Sequence, residues 1–257
     1  MDARIEQLQS LLAAARRIAF LGGAGLSTES GIPDFRGEAG VFAAIRAYGY
    51  PPETLLSHTF FLRHTDVFYA YYKSCLLHPE AEPNDAHLAL AALEQAGKLN
   101  ALITQNIDGL HQRAGSRNVL ELHGGVCRNA CMRCAKRYPL EHILAADGVP
   151  ACTCGGTIKP DVVLYGEELD AGVLSAAIRH IREADTLMIG GTSLAVYPAA
   201  GLVDYFRGET LIVLNMSPTN RDFEAKLCID LPIGEVLGAA VLPEKRLQTP
   251  PHPAILS

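Results

Sequence analysis

The chain has 257 residues, 49% hydrophobic and 19% charged, so it can bury a sizeable core and is neither disordered nor fibrous. A formal net charge of -6 gives no overall positive field to recruit nucleic acid or an anionic membrane surface. Apolar stretches stop short of the roughly 20 residues of a spanning helix, and the start, with Asp2 and Glu6, lacks the cationic flank of a signal peptide. The chain therefore reads as cytoplasmic, with no membrane or nucleic-acid partner; a monomer is expected, although nothing in the sequence fixes the oligomeric state.

Residues 4–16 place Ile5, Leu8, Leu11, Leu12 and Ala15 at the spacing of an amphipathic helix. They feed Ile18–Leu21, a short apolar strand that ends in Gly22-Gly-Ala-Gly25. Residues 36–80 are rich in Tyr, Phe and His without strand periodicity and predict a helical insert. A helix over 84–97, stopped by Gly97, precedes a strand at 101–104. Strand candidates follow at 119–122, 161–164, 186–189 and 211–214, with a helix over 171–183. At least six strand candidates with helical intervals predict an α/β fold, a Rossmann-like doubly wound parallel sheet. The two stretches outside that rhythm predict a smaller inserted lobe made of a helical module (36–80) and a cysteine-bearing ribbon (125–158). The large lobe then takes 1–35, 81–124 and 159–247, and 248–257, with three prolines, is a loose tail.

Glycines after a strand let the backbone approach a phosphate at a helix N-terminus. The regular dinucleotide fingerprint is not met, because G-x-G-x-x-G written from Gly23 needs glycine where Thr28 stands. The acidic ribose anchor is missing too, since 42–46 read Phe-Ala-Ala-Ile-Arg. An ordinary nicotinamide dehydrogenase is disfavoured, and the glycine turn alone reads equally as a tight turn. The run from Gly23 to Gly37 then ends in Phe35 and Arg36, a ring beside a guanidinium, which suits a lid over a planar ligand and its phosphates.

Four of the seven cysteines crowd into 131–154, as Cys131-x-x-Cys134 and Cys152-x-Cys154. Two thiolate knuckles at this spacing predict one structural zinc with no open position for a catalytic water. The short second knuckle leaves Cys127 as an alternative ligand. Cys75 and Cys228 read as small buried hydrophobes, and His58, His64, His78, His142 and His180 as surface or packing residues.

The run Gly23-Ala-Gly-Leu-Ser-Thr-Glu-Ser-Gly-Ile-Pro-Asp-Phe-Arg-Gly37 closely resembles the G-A-G-x-S-x-x-S-G-I-P-D-F-R-G signature of the sirtuins, NAD-dependent protein lysine deacylases. Four further blocks are similar in order: Thr104-Gln-Asn-Ile-Asp-Gly-Leu-His111, Leu122-His-Gly124, Lys159–Glu167, and Gly191–Ala199 with Asn215. The resemblance implies a Rossmann-like domain with a zinc-ribbon lobe, although most sirtuins have C-x-x-C where this chain has Cys152-x-Cys154. It implies NAD contacts from Gly23, Ala24, Gly25, Ser27, Thr28, Asp34, Phe35, Arg36, Gln105, Asn106, Ile107, Asp108, His123, Gly191, Thr192, Ser193, Asn215 and Met216. It assigns catalysis to His123, Asn106 and Asp108, with His123 as the base, a role suited to an imidazole at neutral pH. It assigns the acylated lysine of a protein or peptide to Val163, Leu164, Tyr165, Gly166 and Glu167.

Standing alone, Asn106 and Asp108 read as a polar turn and His123 as a structural histidine. Relatives that prefer succinyl carry Tyr-x-x-Arg in the helical module. The matching place here is Tyr69-Ala-Tyr-Tyr72, which leaves a carboxylate without a bidentate partner and favours acetyl or a longer uncharged acyl group. Lys73 is the nearest cation in the segment. The alternatives are a mono-ADP-ribosyltransferase on the same scaffold and a non-enzymatic zinc-ribbon binding module.

Overall fold

The computed structural model describes residues 2–33 and 38–242, the side chains of 38–40 excepted. The Asp2 side chain accepts the Arg4 amide and starts α1 (Ala3–Ala14), which buries Ile5, Leu8 and Leu12. The strand β1 (Ile18–Gly22) follows and is buried at every residue, as a central strand covered on both faces must be. The helical module comprises α2 (Glu38–Tyr48), α3 (Pro52–Leu55), α4 (His58–Arg63) and α5 (Thr65–Tyr71), the last prolonged by a π-helical turn over Tyr72–Leu76. Then come α6 (Asp85–Gln95), β2 (Leu99–Thr104), α7 (Leu110–Arg113) and β3 (Val119–Glu121). The ribbon holds β4 (Gly124–Cys131), β5 (Arg137–Tyr138), α8 (Leu140–Ala145) and β6 (Ile158–Val162). The chain closes with α9 (Ala171–Glu183), β7 (Thr186–Gly190), β8 (Thr210–Leu214), β9 (Leu227–Ile229) and α10 (Ile233–Val241).

Six strands pair in parallel in the order β3-β2-β1-β7-β8-β9. The order reverses between β1 and β7, the topological switch point at which open α/β sheets bind ligands. On one face α1, α6 and α10 pack Leu8, Leu90 and Leu237 over Phe20 and Met188. On the other, α9 and the turn at Ala199–Tyr205 pack Ile181 and Leu202 over Leu21 and Ile189. A third core joins the helical module to the ribbon: Phe61, Phe68, Tyr69 and Tyr72 pack with Val126, Tyr138 and Ile158. Phe68 stacks on Tyr72 at 5.5 Å and meets Phe61 edge-on at 4.8 Å.

One predicted strand belongs elsewhere. The run at 161–164 begins on the last two residues of β6 and runs past its end, and β6 pairs antiparallel with β4 in a three-stranded sheet β5-β4-β6 and not in the parallel sheet. The sixth parallel strand is β9, whose three residues are too short to stand out as a periodic run. Among the described residues no helix is long and apolar enough to cross a membrane.

Candidate active site

Because all six strands run the same way, the loops after β1, β2, β3, β7 and β8 open on one edge of the sheet. After β1 the chain makes two short 3-10 turns, Ala24–Leu26 and Thr28–Ser30. Gly25 lies against the loop after β7, where its amide donates to Gly191 O at 2.8 Å. A Cβ on Gly25 would stand 2.9 Å from Gly191 Cα, and one on Gly191, at φ +59°, 2.4 Å from Leu26 N. These glycines therefore let the two loops meet at the switch point, a close approach that no side chain permits.

The loop after β2 turns Asn106 and Asp108 toward that junction. Ser27 Oγ donates to Asp108 Oδ2 at 2.7 Å and accepts from Asn106 Nδ2 at 3.0 Å, while Leu110 N donates to Asp108 Oδ1 at 2.9 Å. Burial raises the Asp108 carboxyl above its ordinary value, against the lowering pull of the Leu110 amide and the Ser27 hydroxyl. Gln105 Nε2 donates to Thr192 Oγ1 at 3.2 Å and so ties the β2 loop to the β7 loop.

His123 follows β3, and its Nδ1 lies 3.0 Å from Gln105 O. A carbonyl only accepts, so Nδ1 carries a proton, and in the neutral ring the lone pair is then on Nε2. Ala24, Ser27, Gln105, Asn106, Ile107, Asp108 and His123 all line one cavity of about 610 Å³, within the usual size range of small-molecule sites. Its other walls are Val163–Glu167, Tyr197 and Pro198, and an apolar side made by Ile32, Pro33, Leu56, Cys75 and Leu76. No Lys or Arg lines it among the described residues.

Glu167 anchors the substrate segment. Its Oε2 accepts from Lys159 Nζ at 3.1 Å and from Leu164 N at 2.8 Å, and its Oε1 lies 2.6 Å from His58 Nδ1. Burial alone would raise its pKa, yet the Leu164 amide, His58 and Lys159 together hold it below the ordinary value. His58, read from sequence as a surface or packing residue, thus ties the helical module to the substrate segment.

Several expected site residues lie outside this cavity. Thr28 Oγ1 donates to Gly25 O at 2.9 Å, so its hydroxyl closes the turn. Asn215 and Met216, after β8, line a separate hollow of about 340 Å³ with Arg4, Asp222 and Cys228. Cys228 is exposed there and Cys75 is half-buried on the wall of the first cavity, so neither is the small core residue expected. Ser193 is exposed beside Thr192. Asp34, Phe35 and Arg36 lie outside the described residues.

Tyr69 and Tyr72 correct the sequence reading of the acyl channel. Both are fully buried in the module core, Tyr69 with its hydroxyl donating to Ile158 O, and neither lines the cavity. The helical module instead contributes Leu56, Cys75 and Leu76. Tyr197 and Pro198 stood inside a recognised block without an assigned role, whereas nothing in the sequence distinguished Leu56 from a core leucine.

Away from the cavity, the Sγ atoms of Cys131, Cys134, Cys152 and Cys154 lie within 4.8 Å of one another. Cys131 and Cys154 approach to 3.5 Å and Cys134 and Cys152 to 3.6 Å, close to the sulfur–sulfur distance of about 3.8 Å that four zinc–sulfur bonds of about 2.3 Å make in a tetrahedron. The Arg133 amide donates to Cys131 Sγ and the Cys154 amide to Cys152 Sγ, which stabilises thiolate charge. The residues present fit a structural zinc. Cys127 is exposed and outside the cluster, so the alternative ligand set is not the one the fold assembles.

An open parallel sheet with a ligand cavity at its switch point and a four-cysteine ribbon in the second lobe defines a nucleotide-using enzyme class with a metal-stapled insert. The model of the Sir2 family matches residues 23–198, and the chain belongs to that family. An NAD-dependent protein deacetylase of Clostridium perfringens (strain 13 / Type A) is 54% identical over 243 residues, 94% of this chain and 100% of the relative. A solved Sir2 homologue in complex with NAD is 36% identical, with a TM-score of 0.83 over 95% of each chain. A solved Sir2 in complex with the inhibitor EX-527, 2′-O-acetyl-ADP-ribose and a deacetylated p53 peptide is 37% identical, with a TM-score of 0.79 over 95% of this chain and 100% of that one.

Proposed function

We propose that the chain is an NAD-dependent protein lysine deacylase whose foremost substrate is acetyl-lysine, releasing nicotinamide, O-acetyl-ADP-ribose and free lysine. The observation that carries this reading is the His123 imidazole, held at Nδ1 by Gln105 O, in one cavity with Asn106 and Asp108. Two relatives named above support it, one as an NAD-dependent deacetylase and one as a complex with acetyl-ADP-ribose and deacetylated peptide. NAD, when bound, supplies an electrophilic ribose carbon with nicotinamide as leaving group.

The residues around it bind, orient and move a proton. Ser27, Asn106 and Asp108 form one connected polar cluster, so the amide and the carboxylate reach the cavity in fixed orientation. His123 Nε2 takes a proton from a ribose hydroxyl as general base. The apolar side from Ile32 to Leu76 excludes water from the reacting centre. Val163–Glu167 hold the extended peptide, and Asn215 with Met216 serve the far end of the dinucleotide. The four thiolates would hold a zinc that braces the ribbon, and since four sulfurs leave no open position the metal would take no part in the chemistry.

A cavity with no cation among its described lining residues takes an acetyl or longer uncharged acyl group in preference to succinyl, whose carboxylate would be buried unpaired. Four thiols clustered for a metal suit the reducing cytoplasm, where the chain is taken to act as a monomer. The test is incubation with NAD and one lysine peptide in acetyl, longer acyl and succinyl forms, read by mass spectrometry. Loss of the acetyl mass with formation of O-acetyl-ADP-ribose is expected, and desuccinylation about a hundredfold slower, the equivalent of about 3 kcal/mol. Gain of ADP-ribose on the peptide without loss of acetyl would make the chain an ADP-ribosyltransferase instead.

A further inference from the structure

His123 stands where the chain leaves the parallel sheet for the ribbon, and it is tied to both. Its ring is held by Gln105 O, after β2, at 3.0 Å. Its main-chain oxygen accepts Val163 N, after β6, at 3.0 Å, while Leu122 N before it donates to Thr104 O at 2.9 Å. A small shift between the two sheets would therefore pull the imidazole and its own backbone in different directions.

The crossing is also cramped. A Cβ on Gly124 would stand 1.9 Å from Asp161 O, and one on Gly125 2.9 Å from Glu121 Oε1. Only glycines let the strands carrying Glu121 and Asp161 close on either side of the turn.

Arg128, on β4, spans this crossing. Its Nη1 donates to Glu121 Oε2 at 2.5 Å and its Nε to Asp161 Oδ2 at 2.8 Å. Gln112 Nε2 occupies the other Glu121 oxygen at 2.9 Å. Glu121 lies two residues before His123 on β3, opposite Thr104 at the end of the strand that leads to Gln105, and Asp161 two residues before Val163 on the small sheet, so one guanidinium links the strand that leads into the histidine to the strand that holds its main chain. The Arg128 side chain is 45% exposed and Asp161's 50%, so that half of the link adds little to global stability, while Glu121, only 9% exposed, keeps Gln112 as a partner when the guanidinium is removed. A planar guanidinium can bridge two carboxylates in a fixed geometry, which an ammonium cannot.

We infer that Arg128 is a positioning residue for the base: through Glu121 and Asp161 it fixes the offset between the two sheets at which the His123 imidazole keeps its hydrogen bond to Gln105 O. The inference rests on the reading of His123 as the base.

The test compares the full-length wild type with Arg128→Ala and Arg128→Lys on acetyl-lysine peptide and NAD. For Arg128→Ala, kcat is expected to fall about tenfold, with both KM values within about twofold and the melting temperature little changed; Arg128→Lys lies between. The double variant Arg128→Ala with Asp161→Ala is expected to lose no more than Arg128→Ala alone, because the two act as one unit. A second readout needs no turnover. The imidazole Nδ1–H of His123, assigned by its loss in His123→Ala, should give a protected signal in nitrogen-edited NMR of the wild type and broaden in Arg128→Ala. Unchanged kcat and an unchanged imidazole signal in Arg128→Ala would overturn the inference, as would a parallel decline of kcat, both affinities and melting temperature. A wild type that does not deacetylate would overturn the functional reading while the imidazole signal still reports on the clamp.

Discussion

His123 owes its assigned role to a neighbour's carbonyl: with Nδ1 donating to Gln105 O, the neutral ring of this cavity-lining residue carries its lone pair on Nε2. His123→Ala should lower deacetylation by about 10²–10⁴-fold, with the melting temperature within a few degrees of wild type; activity within a few-fold of wild type would remove it from the mechanism. Asp108 makes the opposite point about stability. Its carboxyl pKa is raised by burial, so the unfolded chain releases this proton at lower pH than the folded one, and stability falls as pH rises through that window. Asp108→Asn keeps an acceptor for Leu110 N and a partner for Ser27 Oγ, and lacks the buried charge. It should therefore melt no lower than wild type at pH 7 while turning over far more slowly, a separation that calorimetry and a deacetylation assay measure side by side. Tyr72 shows where residue-level reading failed. Aligned with an arginine of succinyl-preferring relatives, it faces the module core, so Tyr72→Arg should buckle the module and lower the melting temperature sharply without creating desuccinylation. Appearance of robust desuccinylation in a folded Tyr72→Arg protein would mean that position 72 does reach the acyl group.

At the scale of elements, α6 begins on a capping box in which the Asn84 side chain accepts Ala86 N at 3.0 Å and His87 Nδ1 accepts Asn84 N at 3.3 Å. His87 is fully buried against His111, ring centroids 4.8 Å apart. Burial lowers its pKa to about 4, and that of His111 well below the ordinary value. The unfolded chain takes up these protons near pH 6.5 and the folded one does not, so stability is intact above that pH and is lost as the pH falls toward about 4, by about 3 kcal/mol for His87. His87→Gln keeps the capping acceptor and removes the titration; urea unfolding between pH 7 and pH 4 should be less pH-dependent for the variant. Equal pH dependence would assign the acid sensitivity to other groups. Elements were legible where they were long and apolar, as with β1, β2, β7 and β8, and poorly legible at β6 and β9. A four-residue apolar run reads alike in a parallel and an antiparallel sheet, because partner and direction are not written in it.

For the whole molecule, the ribbon and the helical module share one core, so the zinc site braces more than its own knuckles. About one zinc per chain is expected by metal analysis. Its chelation should lower the melting temperature and abolish activity together, since folding of a structural site is coupled to metal binding. Cys131→Ser, Cys134→Ser, Cys152→Ser and Cys154→Ser should each reduce metal content, and Cys127→Ser should not. A metal-free protein that stays folded and active would contradict the site, and loss of zinc on Cys127→Ser would contradict the ligand set. The scale of the effect follows from lever arms: β6 pairs with β4, and the residue after β6 holds the backbone of His123, so loosening the ribbon is felt at the base.

The sequence by itself determined the class of fold, the glycine turn, the polar strand ends and the thiolate pairs. Each is a local pattern: an apolar run demands burial, a glycine permits a contact, and cysteines two or three positions apart converge on one point. What only the tertiary structure decided is which distant pieces meet. It placed Ser27 on Asp108, His58 on Glu167 and Arg128 across Glu121 and Asp161. It buried Tyr69 and Tyr72 and brought Leu56, Cys75 and Leu76 to the cavity in their place. Which face of a short aromatic-rich helix turns inward depends on what packs against it, and for residues 65–76 that partner is a ribbon strand more than eighty positions further along the chain.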